Sequence, residues 1–257
     1  MAMSALVPAM VLAAFVGWPA QAAPARWQPA ADASWQIQFS GSLDKSVAAD
    51  IYDLDLFDTS AAAVADLHER GRRVVCYINA GAWENWRPDA GRYPSAVKGK
   101  KLDGWPGERW LDIRRISVLG PILEDRLDLC SAKGFDGVEF DNVNGYQNPT
   151  GFNLRRSDQL AFNRWLAAAA HERGLAAGLK NTLSLAEALE PAFDFAILEQ
   201  CFAYRECSLA APFLDAGKAV LDVEYDIARR RFCPRTRELG IVAMRKHLEL
   251  DAWRAPC

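Results

Sequence analysis

One local device recurs along this chain and restricts the folds open to it. A helical segment ends in a basic or polar turn, reaches Gly, and passes into a short β-rich run. It reads His68-Glu69-Arg70-Gly71 before Val74 to Ile78, and Ala132-Lys133-Gly134 before Gly137 to Phe140. It returns as His171-Glu172-Arg173-Gly174 before Ala176 to Lys180, Ala216-Gly217 before Ala219 to Tyr225, and Glu238-Leu239-Gly240 before Ile241 to Ala243. Glycine just past a helix end takes the left-handed conformation without a Cβ clash, and cations there complement the helix dipole. Five such junctions in 257 residues predict alternating helix and strand, hence a mostly parallel sheet covered by helices.

Further strands are predicted at Trp35 to Phe39, Ile51 to Leu56 and Phe195 to Glu199, which brings the count to eight. Eight strands predict closure into a single (β/α)8 barrel of the TIM type over residues 23–257, with its active site at the C-terminal strand ends. An open doubly wound sheet is the competing architecture, but its Gly-rich phosphate loop is missing from the sequence. Alternation within the strands assigns their faces. Val138 and Phe140 are read as facing the helices, with Glu139 and Asp141 facing in. Ala196 and Leu198 face out and Glu199 in; Asp53 and Asp55 face in around Leu54. Leu221 and Val223 are read as outward, leaving Asp222 and Glu224 inward. Acidic groups then converge on one mouth.

The first 22 residues carry an apolar stretch, Ala5 to Trp18, followed by Ala20-Gln21-Ala22, the small-x-small pattern cut by signal peptidase. Residues 1–22 are read as a cleaved signal peptide, the mature protein as secreted or periplasmic, with no membrane span after cleavage. Six Cys suit an oxidising compartment. Cys76 points outward from the third strand toward Cys130 on the next helix; Cys201 and Cys207 bracket the loop after Glu199; Cys233 and Cys257 tie down the C-terminus. No C-x-x-C occurs, and the three His share no ligand spacing with Cys, so neither a metal nor a cofactor is expected. The formal net charge of -3, without blocks of like charge, gives no footprint for nucleic acid. The chain is read as a monomer, and its charge suits a neutral or cationic substrate.

Glycosidic hydrolysis needs one carboxyl to protonate the leaving oxygen and another to attack the anomeric carbon or activate water. Asp141 and Glu199, closing the fourth and sixth strands, are the leading pair. Asn142 follows Asp141 with an amide suited to a sugar hydroxyl. Glu139, one inward layer lower, is read as orienting a neighbour, and Lys180 as pairing with one of these acids. Asp55, Tyr77, Asn79, Glu224 and Tyr225 complete the predicted substrate-binding set. Trp83, Trp86, Trp105 and Trp110 lie in or near the irregular stretch from Glu84 to Arg109, where one or two are expected to line a groove. His68 and His171 sit at helix C-termini, so no His serves a Ser-His-Asp triad.

Several blocks in order resemble glycoside hydrolase family 114, the endo-α-1,4-polygalactosaminidases. They are Gly134-Phe135-Asp136-Gly137-Val138-Glu139-Phe140-Asp141-Asn142-Val143, Gly178-Leu179-Lys180-Asn181, Glu199-Gln200-Cys201-Phe202, and Ala216 to Val220 with Glu224-Tyr225. Trp105-Pro106-Gly107-Glu108-Arg109-Trp110-Leu111-Asp112 belongs to the same match, which runs from about Trp35 to the C-terminus. The resemblance implies a secreted barrel that cleaves α-1,4-linked galactosamine polymers with retention, through Asp141 and Glu199. Analogy with other barrels assigns attack to Asp141 and acid/base work to Glu199. Phe140 and Asn144 depart from the family pattern, which often has Pro and Asp there. A partly deacetylated polymer is cationic, and a mouth bearing Asp55, Glu139, Asp141, Glu199 and Glu224 would attract it. The alternative is a barrel of the cell surface or biofilm matrix that binds carbohydrate without turnover.

Overall fold

The helix-ending glycines do what their positions require. In the computed structural model, which describes residues 26–257, Gly134 and Gly240 cap their helices in the left-handed conformation, at φ 88° and 81°. The predicted signal peptide lies outside the described residues.

The strands are β1 (Trp35–Gln38), β2 (Ile51–Asp55), β3 (Arg73–Asn79), β4 (Ala82–Glu84), β5 (Lys98–Lys101) and β6 (Glu108–Leu111). They continue with β7 (Gly137–Asp141), β8 (Ala176–Lys180), β9 (Phe195–Glu199), β10 (Val220–Glu224), β11 (Val242–Arg245) and β12 (Ala255–Pro256). One nine-stranded sheet runs β1-β2-β3-β7-β8-β9-β10-β11-β12, parallel throughout except for the last pair. Its eight parallel strands are those read from the sequence. A separate three-stranded antiparallel sheet, β4-β6-β5, is inserted after β3.

The helices are α1 (Ala61–Glu69), α2 (Ile116–Lys133), α3 (Arg156–Glu172), α4 (Ala186–Leu189), α5 (Ala211–Asp215) and α6 (Arg229–Leu239). Among the described residues no helix follows β1 or β11, so the eightfold alternation is incomplete at the chain ends. None of the helices is long and apolar enough to cross a membrane.

The curl of the sheet is completed without a backbone ladder between β1 and β11 among the described residues. The C-terminal segment straps the seam instead. β12 covers the free edge of β11, Phe39 N donates to Leu250 O at 2.8 Å, and Gln36 Nε2 to Ala252 O at 3.0 Å. Trp35 Nε1 reaches across to Val242 O at 3.0 Å. A pleated edge left open would recruit another strand, and the strap removes that hazard.

Disulfides join Cys76 to Cys130, Cys201 to Cys207 and Cys233 to Cys257, the pairing expected from the sequence. The first closes a separation of 54 residues between β3 and α2, worth about 4 kcal/mol in the chain-entropy model. The third anchors the strap to α6.

Apolar side chains form two clusters, one on each side of the sheet. Leu54, Cys76, Val138, Phe140 and Leu198 pack against the helices. Trp35, Val75, Phe195, Ile197, Leu221 and Val223 fill the interior. The faces of β2, β7 and β9 are those predicted, but β10 is reversed. Val223 pairs with Glu199 and Met244, and parallel neighbours in register share a face, so Val223 points inward. Asp222 and Glu224 therefore point outward. A strand whose alternate residues are acidic and apolar has a clear period but no built-in phase; register with β9 decides it here.

Candidate active site

Lys180 organises the mouth. It ends β8, is 3% exposed, and directs its ammonium at Glu139, with Glu199 Oε2 at 3.4 Å and Asp141 Oδ1 at 3.9 Å. Burial alone would strip its proton. Glu139, then Glu199 and Asp141, outweigh that and hold the ammonium well above the ordinary lysine value. The oxygens of Asp141 and Glu199 are thus no further apart than those two distances laid end to end. Their side chains are 22% and 28% exposed, against 0% for Glu139, so the first two can meet a substrate and Glu139 cannot.

Each of the three mouth residues is followed by one in the left-handed region: Asn142 (φ 59°), Asn181 (φ 46°) and Gln200 (φ 59°). Asn tolerates that conformation by local hydrogen bonding, whereas Gln does so less readily. These turns end the strands abruptly. The Asn142 turn also needs glycine opposite, since a Cβ on Gly81 would fall 1.8 Å from Asn142 O.

Asp141 is fixed by Tyr77, whose hydroxyl donates to Oδ2 at 2.9 Å, and by Asn142, which donates its backbone N–H to Oδ1 at 2.8 Å and Nδ2 to Oδ2 at 3.2 Å. Glu199 Oε1 accepts the Tyr225 hydroxyl, and Glu199 N donates to Asn181 Oδ1 at 2.9 Å. Burial, then the adjacent carboxylates, push both phenols well up, so they remain donors. Beneath them, Asp53 faces Glu139. Burial and then the Glu139 charge raise Asp53 well above the carboxylate range. Both Asp53 oxygens and Glu139 Oε2 are buried there without a hydrogen-bond partner, a setting that favours the neutral form of Asp53.

The mouth opens into a cleft of about 390 Å³ lined by Asp55, Tyr77, Asp141, Asn142, Lys180 and Glu199 from the predicted set. Asp55 reaches it already paired, with Arg87 donating to its two oxygens at 2.9 and 2.6 Å. Asn79 faces inward but is 1% exposed and held by three hydrogen bonds. Its Nδ2 donates to Glu108 Oε2 at 2.9 Å, and its Oδ1 accepts Ala82 N at 3.0 Å and Asn142 Nδ2 at 3.1 Å. Buried and tied to Glu108, Ala82 and Asn142, it supports the wall and does not line the cleft.

Glu224 is a correction. Placed outside the barrel wall by the phase of β10, it accepts Phe202 N at 2.7 Å and does not line the cleft. With Asp222 it lies near Cys201, but that sulfur is committed to Cys207 and offers no thiolate to a metal.

Of the four Trp, Trp86 and Trp105 line the cleft and are 53% and 52% exposed. Trp110 is buried, and Trp83 lies under Lys98 Nζ, 4.0 Å from the ring centroid. His68 and His171 pair with Asp136 and Asp194, both at 2.8 Å, at the opposite ends of the strands from the mouth.

Sequence reasoning missed Glu84, Arg87 and Glu108. They sit on or beside the inserted sheet, where Glu84 pairs with Glu108 across β4 and β6. The run Glu108-Arg109-Trp110-Leu111 shows no apolar-polar alternation, so periodicity gave no signal for a strand within that loop.

An open cleft at the C-terminal ends of parallel strands, with two accessible carboxylates around one buried ammonium, is an arrangement that suits a barrel hydrolase of the glycosidase class. Within that class, the chain belongs to glycoside hydrolase family GH114, whose model matches residues 17–257. The crystal structure of Aspergillus fumigatus Ega3 in complex with galactosamine is similar, with a TM-score of 0.87 and 37% identity over 91% of this chain and 99% of that one. The glycoside hydrolase domain of PelA from Pseudomonas aeruginosa shares the fold, with a TM-score of 0.68 and 15% identity over 86% of this chain and 97% of that domain. No curated protein sequence matches the chain.

Proposed function

We propose that this protein is an exported endo-acting hydrolase of α-1,4-linked galactosamine polymers that works with retention. Residues 1–22 act as its export signal, and the remainder forms one hydrolase domain. The observation that carries this reading is the joint approach of Asp141 and Glu199 to Lys180 at an open cleft. Their limiting separation accommodates the roughly 5 Å spacing of retaining enzymes. The Ega3 complex with galactosamine supports the sugar class, and the acidic mouth supports a cationic polymer.

In this reading Asp141, held by Tyr77 and Asn142, attacks the anomeric carbon as the glycosidic C–O bond breaks. Glu199 gives its proton to the leaving oxygen. Glu199 then takes a proton from water, whose oxygen displaces Asp141 from the anomeric carbon and regenerates both groups. Trp86 and Trp105, with their exposed rings along an open cleft, suit continuous chains rather than chain ends.

The test is to make Asp141→Asn and Glu199→Gln separately and measure release of reducing ends from galactosamine polymer, with the anomer of the first product read by NMR. Full activity in either variant rejects the pair, and an inverted first product rejects retention. Binding of the polymer by the wild type without turnover would favour the inactive carbohydrate-binding barrel.

A further inference from the structure

Glu108 differs from every other acid at the cleft. Asp55 and Glu84 are neutralised by Arg87, at 2.6 and 2.8 Å. Asp141 and Glu199 flank Lys180, and Asp58 stands in water at the exposed rim. Among the described residues Glu108 has no cation within ion-pairing distance, only the Asn79 amide on Oε2 at 2.9 Å. It is 6% exposed yet lines the cleft, and its Oε1 has no protein partner and is not sealed from the cleft.

The groups that face Glu108 are mostly like itself. Glu84 is its cross-strand partner, Asp141 stands across the mouth, and Tyr77 adds a phenol that stays neutral. Arg87 is the nearby cation, already bound to Asp55 and Glu84. Burial, then Glu84 and Asp141, push the Glu108 carboxyl up to about 7, against the opposing pull of Asn79 and Arg87. The fold sets its neighbours around two shared cations, Arg87 and Lys180, and leaves this position without one. Trp86 lines the same cleft and packs against the preceding residue, where a Cβ on Gly107 would fall 2.8 Å from its ring. The cleft thus offers a sugar both an exposed indole and the Glu108 carboxyl.

We propose that Glu108 receives the ammonium of a substrate amino sugar and is the specificity-determining residue that separates deacetylated from acetylated polymer. This rests on the function proposed above and adds to it a recognition site apart from the reacting carboxylates. Acetylation would remove the positive charge and add bulk. The buried carboxyl would then face a neutral amide, and sites built around a polar partner reject analogues that lack it.

Two measurements test this. The first compares the wild type and Glu108→Gln on galactosamine polymer before and after chemical N-acetylation. The expected result is a KM for the deacetylated polymer raised roughly tenfold to a hundredfold, kcat little changed, and weaker discrimination between the polymers. The second is calorimetry of galactosamine binding to the wild type at about pH 6, in buffers of unlike ionisation enthalpy. There the sugar amine is a cation and most Glu108 carries its proton, so binding releases close to one proton, whereas N-acetylgalactosamine releases none.

An unchanged KM in a folded Glu108→Gln enzyme overturns the assignment. If that variant does not fold, the wild-type calorimetry decides: release supports the proposal, and binding without release overturns it. Failure of the wild type to cleave the polymer at all overturns the proposed function as well. Cleavage with an unchanged Glu108→Gln enzyme overturns this inference alone.

Discussion

Strands β7 and β10 carry the same alternation, Glu139-Phe140-Asp141 in one and Asp222-Val223-Glu224 in the other, and use it in opposite ways. In β7 the apolar residues join the helix-side core and the acids meet Lys180 inside the barrel. In β10 the apolar residues fill the interior, and the acids face outward to accept the amides of Cys201 and Phe202. The inward acids surround a buried cation beside an open cleft. The outward ones brace the loop that follows Glu199. An acid at a strand end lines the cleft or braces a loop according to the face it occupies, and register sets that face.

The largest effect should separate the two strands outright. Asp141→Asn is expected to lower kcat by about a thousandfold or more, a barrier increase of roughly 4 kcal/mol, as is Glu199→Gln. Glu224→Gln should leave kcat within a few-fold of wild type. Steady-state rates on galactosamine polymer for the three variants check this. A comparable loss in Glu224→Gln would erase the distinction.

Lys180 probes the inner cluster from the side of stability. Lys180→Met leaves Glu139 buried without its cation, and breaking a buried pair from one side costs about 3–5 kcal/mol. For a chain of this size that is a fall in Tm of about 10 °C. Adding Glu139→Gln removes the stranded charge and should recover much of that loss. It should not recover activity, because Asp141 and Glu199 still lack the ammonium between them. Thermal unfolding and rate measurements on the single and double variants check both halves. An unshifted Tm in Lys180→Met would mean that the ammonium contributes nothing to the interior.

The legible parts of the sequence were those with a local cause. Glycines at helix ends marked the strand starts, and alternation in β7 and β9 placed Asp141 and Glu199 on the inward face before any coordinates. The Cys76–Cys130 pair followed from packing a helix on its own strand. The phase of β10 was not legible, because Val220-Leu221-Asp222-Val223-Glu224 satisfies either face locally and only its neighbours choose. Nor was Glu108. It lies on an inserted three-stranded sheet, and its isolation from cations depends on Arg87 being taken up by Asp55 of β2 and Lys180 by the acids of β7 and β9. The seam behaves likewise, since the closing contacts of Trp35 and Gln36 are with Val242 and Ala252, some two hundred residues away.

The smallest expected effect lies on the outward acids, and its sign distinguishes them from the mouth. Burial, and then the neighbouring Glu224, hold the Asp222 carboxyl well above the ordinary carboxylate range. An acid so raised binds more protons folded than unfolded. Its contribution to stability is therefore present at low pH and lost as pH climbs from about 4 toward the raised value. Asp222→Asn keeps an oxygen to accept Cys201 N, at 3.3 Å in the wild type, and cannot ionise. It should match the wild type near pH 4 and exceed it at pH 8 by about 1 kcal/mol, or about 2–4 °C in Tm, with kcat unchanged. Thermal unfolding from pH 4 to 8 reads this directly. Parallel curves for the two proteins would mean that the β10 acids carry no buried ionisation penalty, and the contrast with β7 would then rest on geometry alone. Diverging curves with an unchanged rate would show that the β10 acids carry a cost of buried ionisation and take no part in turnover.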